Sequence, residues 1–319
     1  MTVSAAPDPA VRGRRAPARR PRAGSLRTHR RRAVPWLMLL PGLAVVVTFI
    51  VLPFGNTLRL AFTDATLLRP GRFVGFENFE RLLQDDRFHV AFLNSTLYLL
   101  CVVPFMVVLP LVLATLVSGP GRLMGFFRTS MYLPVVMSAV VVGLIWTSML
   151  DRRGLVNETL ATLGAVTEPI PFLTDRWLLL FSAMFVTVWM GLGYYMVIYL
   201  AALANIEPTL YDAAAVDGAG VVRTFRSVTM PGVRSTMALI GVLSSVAAFR
   251  VFGEVYVLTG GTGGVGGQNI TMTMLIQREG TGLQAQTGYA GAISMVMFVV
   301  LGALLVGQLW LQQRERRQG

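Results

Sequence analysis

Long stretches without a charged residue recur along the chain, and they limit its possible folds more than any other feature. A helix that crosses a bilayer needs about 20 consecutive apolar residues. Soluble domains carry about a quarter charged residues, whereas this chain of 319 residues carries 14%. The pattern predicts an all-α integral membrane protein and argues against a soluble domain. The uncharged runs of spanning length are Ala33–Leu58, Phe88–Gly121, Thr129–Leu150, Trp177–Ile206 and Gly280–Gln313.

A further apolar run, Ser235–Leu258, is interrupted only by Arg250 and Glu254. With it, the sequence predicts six transmembrane helices. The connection over 59–90 is long enough to form a small external structure with a short amphipathic helix near 73–83. The predicted spans are 36–58, 91–116, 127–149, 177–203, 236–258 and 287–311.

The distribution of arginine orients these spans. If the N-terminus lies inside, inner segments hold 18 Arg, outer loops hold 9, and Arg250 lies in the membrane. Because cytoplasmic loops carry the excess of basic residues, the sequence predicts that both termini are cytoplasmic. Ten of the inner Arg lie in residues 1–32, within an Arg/Pro-rich tail (1–34) that is predicted to be disordered. Most of the excess positive charge of the chain therefore lies in this tail rather than on a folded binding surface, and no nucleic-acid partner is expected.

The inventory of reactive side chains argues against catalysis in this chain. All 28 basic residues are Arg, and the only histidines are His29 and His89. A P-loop or Schiff-base lysine is thereby excluded, and the single Cys101 allows no internal disulfide. We expect no catalytic, cofactor-binding or metal-binding residue and no enzymatic activity. The stretch 261–266 matches G-x-G-x-x-G, but it follows a membrane helix rather than a strand, so we interpret it as a flexible outer loop.

The cytoplasmic stretch 206–231 carries the most specific pattern. Pro208 suits the first turn of a helix, and Gly218 can supply the left-handed residue that ends it. A second short helix follows, with apolar residues at helical spacing (Val221, Val222, Phe225 and Val228), and Pro231 is expected to end it. The alanines 213–215 keep one face thin, which would let a partner approach closely. The alternative is a short amphipathic helix lying on the membrane, which Asp212 and Asp217 disfavour.

This stretch resembles the EAA loop of binding-protein-dependent ABC importer permeases, E-A-A-x3-G-x9-I-x-L-P. The matching residues are Asp212-Ala213-Ala214, Gly218, Val228 and Met230-Pro231, with Asp for Glu, Val for Ile and Met for Leu. Tyr211 and Asp217-Gly218-Ala219 resemble the carbohydrate-uptake branch of maltose and glycerol-phosphate permeases. The likeness extends over most of the chain, through Leu40-Pro41, Gly75–Phe79, Tyr132-Leu-Pro134, Trp146, Gly154–Asn157, Leu258–Gly261 and Gly288-Tyr289-Ala290.

The resemblance implies the ABC transmembrane type-1 permease fold, with a first helix and external loop (35–90), a permease core (91–311) and a cytoplasmic tail (312–319). It implies an ATP-driven importer in a bacterial plasma membrane that translocates a sugar or oligosaccharide. The implied partners are a second homologous permease, two cytoplasmic ATP-binding-cassette subunits that bind the ATP, and an extracytoplasmic binding protein. The residues implied in ATPase coupling are Asp212, Ala213, Ala214, Asp217, Gly218, Phe225, Val228 and Pro231.

The substrate pathway is less specifically marked. Arg250 and Glu254 would be one helical turn apart in the fifth span, where charges usually face a cavity or the bundle interior. A structural ion pair is an equally good interpretation. Tyr195 could contact a sugar ring, although packing is the commoner role of such aromatics. Two alternatives for the whole chain stay open: a permease for a non-sugar solute such as glycerol phosphate, and a secondary carrier.

Overall fold

The computed structural model describes residue 2 and residues 33–316, in two compact units, 1–51 and 52–319. In the described part of the first unit, helix α1 (Ala33–Val46) continues into a π-helical turn, Val47–Val51. The predicted disordered tail, 1–34, lies outside the described residues except for residues 2, 33 and 34. The predicted C-terminal tail, 312–319, is described only as far as 316, where it continues the last helix.

The described residues of the second unit form helices joined by turns, with two isolated β-bridges, Thr63–Phe73 and Thr66–Arg69. Its helices are α2 (Leu52–Ala61), α3 (Glu77–Gln84), α4 (Asp86–Leu116), α5 (Arg122–Val136), α6 (Ala139–Leu150), α7 (Leu155–Thr162), α8 (Arg176–Leu203), α9 (Pro208–Val216), α10 (Val221–Thr224), α11 (Met230–Gly232), α12 (Arg234–Phe249), α13 (Gly253–Leu258), α14 (Met272–Gly280) and α15 (Thr287–Arg316).

Among the described residues, five helical segments have the length and apolar character to cross a membrane. A sixth crossing is formed if the pair Arg122–Val136 and Ala139–Thr162, which bends by 99°, counts as one span. The predicted all-α fold is confirmed, and the number of spans is six when the bent pair is counted as one span. The five segments are Trp36–Ala61, Asp86–Leu116, Arg176–Leu203, Arg234–Leu258 and Thr287–Arg314.

The third predicted span, 127–149, is not one continuous helix. Met137 and Ser138 adopt extended backbone conformations between α5 and α6. Pro134 removes an amide donor from the last turn of α5, and Ser138 is of a type that favours helix starts. The prediction of a single helix over 127–149 is therefore wrong, because the hydropathy of a segment carries no information about a turn in its backbone.

The fifth predicted span, 236–258, is also interrupted. Helix α12 ends at Phe249, and α13 begins only at Gly253. The hydroxyl of Thr271 donates to the Val251 carbonyl at 2.9 Å, and that of Thr273 donates to the Arg250 carbonyl at 3.2 Å. Side chains near the start of α14 thus satisfy carbonyls that the break exposes, as a membrane interior requires.

Close approaches between helices depend on small residues. A Cβ added at Gly193 of α8 would lie 2.2 Å from the Met131 carbonyl oxygen of α5, and one at Gly143 of α6 would lie 2.6 Å from Val257 Cγ1 of α13. Small residues at such positions let membrane helices pack closely. The buried core lies between α4, α8 and α12, with Tyr98, Tyr199, Met196 and Ile240 fully covered.

The Gly-rich connection between α13 and α14, predicted to be a flexible outer loop, is held to α4. Asn94, which is fully buried, donates from Nδ2 to the carbonyls of Gln268 and Ile270 at 2.8 and 2.9 Å. The Ser95 hydroxyl accepts a hydrogen bond from the Met272 amide at 3.0 Å. The loop is therefore held by side chains of a spanning helix, in addition to its own Asn269, which donates from Nδ2 to the Arg176 carbonyl at 2.7 Å.

A polar network braces the same end of the bundle. Asp85 caps α4 by accepting from the Arg87 amide at 2.9 Å, and its other oxygen accepts from the Tyr289 hydroxyl at 2.7 Å. The Arg87 guanidinium lies 3.4 Å from Asp85 and 3.2 Å from Glu279. Burial raises the pKa of the Asp85 carboxyl, but the bonds from Tyr289 and Arg87 outweigh it, so this pKa lies below its usual value.

Candidate functional site

The segment between α8 and α12 folds as two short helices joined by an elbow. Helix α9 begins with Pro208 at its first position and ends in a Schellman motif. The Gly218 amide donates to the Ala215 carbonyl at 3.0 Å, and the Ala219 amide donates to the Ala214 carbonyl at 2.9 Å. Gly218 has a φ of +70°, so the left-handed glycine predicted at this position is found.

The second helix of the segment is irregular. It starts as α10, widens into a π-turn over Phe225–Thr229, and continues as α11. Within the turn, the Met230 amide donates to the carbonyl of Phe225. Pro231, expected to end the helix, lies inside α11, and the helix runs on to Gly232.

The two helices of the segment are joined by a hydrogen bond, and both line a cavity. The hydroxyls of Tyr211 and Thr229 lie 3.2 Å apart in a hydrogen bond. A cavity of about 720 Å³ separates the segment from the adjacent ends of α4, α5 and α8. On its far wall, Arg128 of α5 donates to the carbonyls of Val117 and Gly119. The segment is thus an internally bonded projection from the bundle.

The predicted coupling residues lie together on this projection, which we call the elbow segment (206–231). Ala214 is buried, whereas its neighbours Ala213 and Ala215 are exposed, so the small-residue face is split. Phe225 and Val228 are half-buried. The exposed members of the predicted set are Asp212, Ala213, Asp217, Gly218 and Pro231.

Three strongly exposed valines of the elbow segment were not among the predicted coupling residues. Val221 and Val222, predicted to lie at helical spacing with Phe225, are 89% and 66% exposed. Val216, next to the elbow, is 88% exposed. Together these valines form an apolar tip on the elbow segment.

The predicted pathway residues are not brought together. The break at 250–252 separates Arg250 from Glu254, and among the described residues no ion pair joins these two side chains. The expectation that they are one helical turn apart is therefore wrong. Arg250 is exposed, and Tyr195 is 7% exposed, with its ring 5.2 Å from that of Tyr194.

Glu254 has different neighbours from those expected. Its carboxylate lies beside the Thr187 hydroxyl of α8. Thr187 is also hydrogen-bonded to Tyr98 of α4, with 2.6 Å between the two hydroxyl oxygens. Three spanning elements thus contribute polar groups to one cluster, in which Tyr98 is buried and Thr187 and Glu254 are half-buried. No local sequence signal connects these residues. Over the described residues, no group of three or more His, Cys, Asp or Glu side chains is arranged to hold a metal ion.

Comparison with known proteins gives consistent matches over most of the chain. The sequence pattern of the family described as "Binding-protein-dependent transport system inner membrane component" matches residues 90–317. The lactose transport system permease protein LacF of Rhizobium radiobacter is 31% identical, over 88% of this chain and 94% of its own. The diacetylchitobiose uptake system permease protein NgcF of Streptomyces coelicolor is 33% identical, over 94% of this chain and 86% of its own.

A solved structure shares the fold. A crystal structure of a bacterial ABC transporter involved in the import of the acidic polysaccharide alginate superposes with a TM-score of 0.78. Its matching chain is 25% identical, and the alignment covers 89% of this chain and 96% of that one.

Proposed function

The chain belongs to the family of binding-protein-dependent transport system inner membrane components, and from this premise we propose that it is the permease subunit of an ATP-driven sugar importer. In this proposal it spans a bacterial plasma membrane several times, with both termini cytoplasmic. It pairs with a second, homologous permease and receives its solute from an extracytoplasmic binding protein.

The elbow segment is the observation that carries this proposal. A segment that transmits motion between subunits must be rigid. The Schellman motif and the Tyr211–Thr229 hydrogen bond hold the two helices of the elbow segment in a fixed arrangement. Its exposed apolar tip, at Val216, Val221 and Val222, offers a surface that a protein partner can bury. We assign this surface to a cytoplasmic ATPase subunit, one on each permease, so that ATPase closure rocks the helix bundles.

The composition supports a division of labour between subunits. The chain has no lysine, and phosphate-binding P-loops use one. ATP would accordingly be bound and hydrolysed by the partner subunits, and this chain would hold no cofactor and catalyse no reaction. The proposed coupling residues are the predicted set of the elbow segment together with the three exposed valines.

The sugar assignment is supported by the names of the relatives, which cite lactose and diacetylchitobiose. It is tested with the full transporter reconstituted in proteoliposomes with ATP inside. Uptake of a disaccharide or oligosaccharide, with ATP hydrolysis stimulated by the loaded binding protein, is the expected result. If glycerol phosphate were taken up and no sugar were, the proposed substrate class would be wrong. Uptake without ATP would contradict the proposal that the transporter is ATP-driven.

The Glu254 cluster is the proposed contact with the solute inside the membrane, because the half-buried Glu254 carboxylate and Thr187 hydroxyl can hydrogen-bond a sugar. Arg250 and Tyr195 are proposed to line the path at greater distance. Since Arg250 and Glu254 are not paired, alanine variants of each should accumulate normally, with altered uptake. If each single variant were scarce and the double variant recovered, the two would be a structural ion pair and not part of the path.

A further inference from the structure

Helix α3, on the connection between α2 and α4, has three distinct faces. Asn78 and Leu82 are buried, whereas Phe76, just before the helix, and Leu83 are 68% and 72% exposed. At 3.6 residues per turn, Phe76, Phe79 and Leu83 share one stripe beside the buried one. The remaining face is polar and exposed, and it consists of Glu77, Glu80, Arg81 and Gln84. The exposed apolar stripe therefore lies between the buried face and the charged face.

The stripe is extended by aromatic rings. Phe73, 80% exposed, stacks on Phe62 with 6.5 Å between ring centroids. Phe62 also contacts Phe76 at 5.4 Å and Phe79 at 5.3 Å. We call Phe62, Phe73, Phe76, Phe79 and Leu83 the apolar ledge. It is a continuous surface of large side chains, of the kind that soluble surfaces rarely expose.

Hydrogen bonds fix the position of this ledge next to the end of a candidate membrane span. Ala61 is the last residue of the candidate span Trp36–Ala61. Asn78 of α3 donates from Nδ2 to the carbonyl oxygens of Ala61 and Thr63, at 2.9 and 2.8 Å. On the other side, α4 starts its own span at Asp86, two residues after α3 ends. Helix α3 is thus fastened where two spans leave the membrane.

We propose that α3 is an interfacial helix whose apolar ledge is buried in the lipid headgroup and upper acyl region, in the outer leaflet under the proposed orientation. Aromatic side chains are enriched at that depth, and an interfacial helix needs an apolar face beside a charged one. The charged face of α3 remains in water. The ledge therefore fixes the depth of the bundle in the bilayer. This positioning role is additional to the proposed function in transport.

The proposal is tested by measuring which solvent touches each face. In a Cys101→Ser background, Leu83→Cys and the adjacent Gln84→Cys carry the same small fluorophore. The full transporter complex is reconstituted in phosphatidylcholine nanodiscs. We expect lipids spin-labelled high on the acyl chain to quench the Leu83→Cys label several-fold more than the Gln84→Cys label. Aqueous iodide should show the reverse preference. Phe73→Cys provides a second ledge position if Leu83→Cys does not fold.

Two results would overturn the proposal. Equal iodide quenching at both positions, without lipid quenching, would make the ledge an aqueous surface. Protection of the ledge label from both quenchers would mean that a protein partner covers it. Neither readout depends on transport, so failure here leaves the proposed permease function untouched.

Discussion

At the residue scale, Gly218 holds the elbow segment in shape. Its φ of +70° is accessible to glycine at no steric cost, whereas a β-branched residue strains there. An added Cβ would meet no atom within 4 Å, so the constraint is purely conformational. The neighbouring Gly220 is also exposed and unobstructed, but its φ is −69°. A comparison of the two glycines therefore separates backbone strain from the effect of adding an exposed side chain.

Replacing Gly218 with valine is expected to strain the elbow by about 1–2 kcal/mol, while leaving the spans inserted. Transport should fall, and the ATPase subunits should dissociate more easily during purification. Gly220→Val is the matched control and should transport normally. Full transport by a stably expressed Gly218→Val variant would contradict the proposed role of the elbow in coupling.

Asp85 predicts a dependence of stability on pH. Because its pKa is lowered in the fold, its ionised form stabilises the protein above the unfolded pKa of about 3.9, and this stability is lost as pH falls through the folded pKa. Asp85→Asn should show a smaller fall in melting temperature than the parent below about pH 4. The control is Asp86→Asn, at an exposed neighbouring residue, and its melting temperature should depend on pH as that of the parent does. If Asp85→Asn also showed the pH dependence of the parent, the Asp85 carboxylate would not contribute to stability through its contacts with Arg87 and Tyr289.

At the scale of elements, the sequence predicted where helices lie better than where they break. The spans near α4, α8 and α15 follow from uncharged runs, because burial in lipid selects for hydropathy over their whole length. The break at 250–252 depends on Thr271 and Thr273, whose hydroxyls reach carbonyls 20 and 23 residues earlier in the chain. The elbow glycine was predictable because its conformational need is local. The Glu254 cluster was not, because Thr187 and Tyr98 lie on other spans.

The contact between the short helices α6 and α13 offers a test of their packing. Gly143→Ala places a methyl 2.6 Å from Val257 Cγ1, and such overpacking typically costs roughly 1–3 kcal/mol. Thermal unfolding of the purified protein should show the loss, and adding Val257→Gly should recover part of it. Gly125→Ala, on α5 with no atom within 4 Å, is the control and should not destabilise. Additive losses in the double variant would mean that the two residues do not share this contact.

At the scale of the whole molecule, the distribution of arginine predicts how the bundle is oriented in the membrane. The elbow segment and the outer loop lie on connections separated by the single crossing Arg234–Leu258, so they must emerge on opposite sides of the membrane if that segment spans. The 18-to-9 division of arginine predicts a cytoplasmic position for the elbow segment. That assignment agrees with its proposed ATPase partner.

Reporter fusions test this orientation. A reporter active only outside the cytoplasm should be active when fused after Arg72 or Gly264 and silent after Gln313. A fusion after Gly220, in the elbow segment, is the internal control and should also be silent. External activity after Gln313 would contradict the six-span count.

The anchoring of the outer loop by Asn94 has a further consequence for recognition. Ordering a free backbone costs about 1–2 kcal/mol per residue, and a glycine-rich loop would carry the highest such cost. Here the carbonyls of Gln268 and Ile270 are already held by a buried amide, so this entropy is lost when the chain folds rather than when a partner arrives. A protein that docks on the loop would meet a preformed surface, and its affinity would not be reduced by loop ordering.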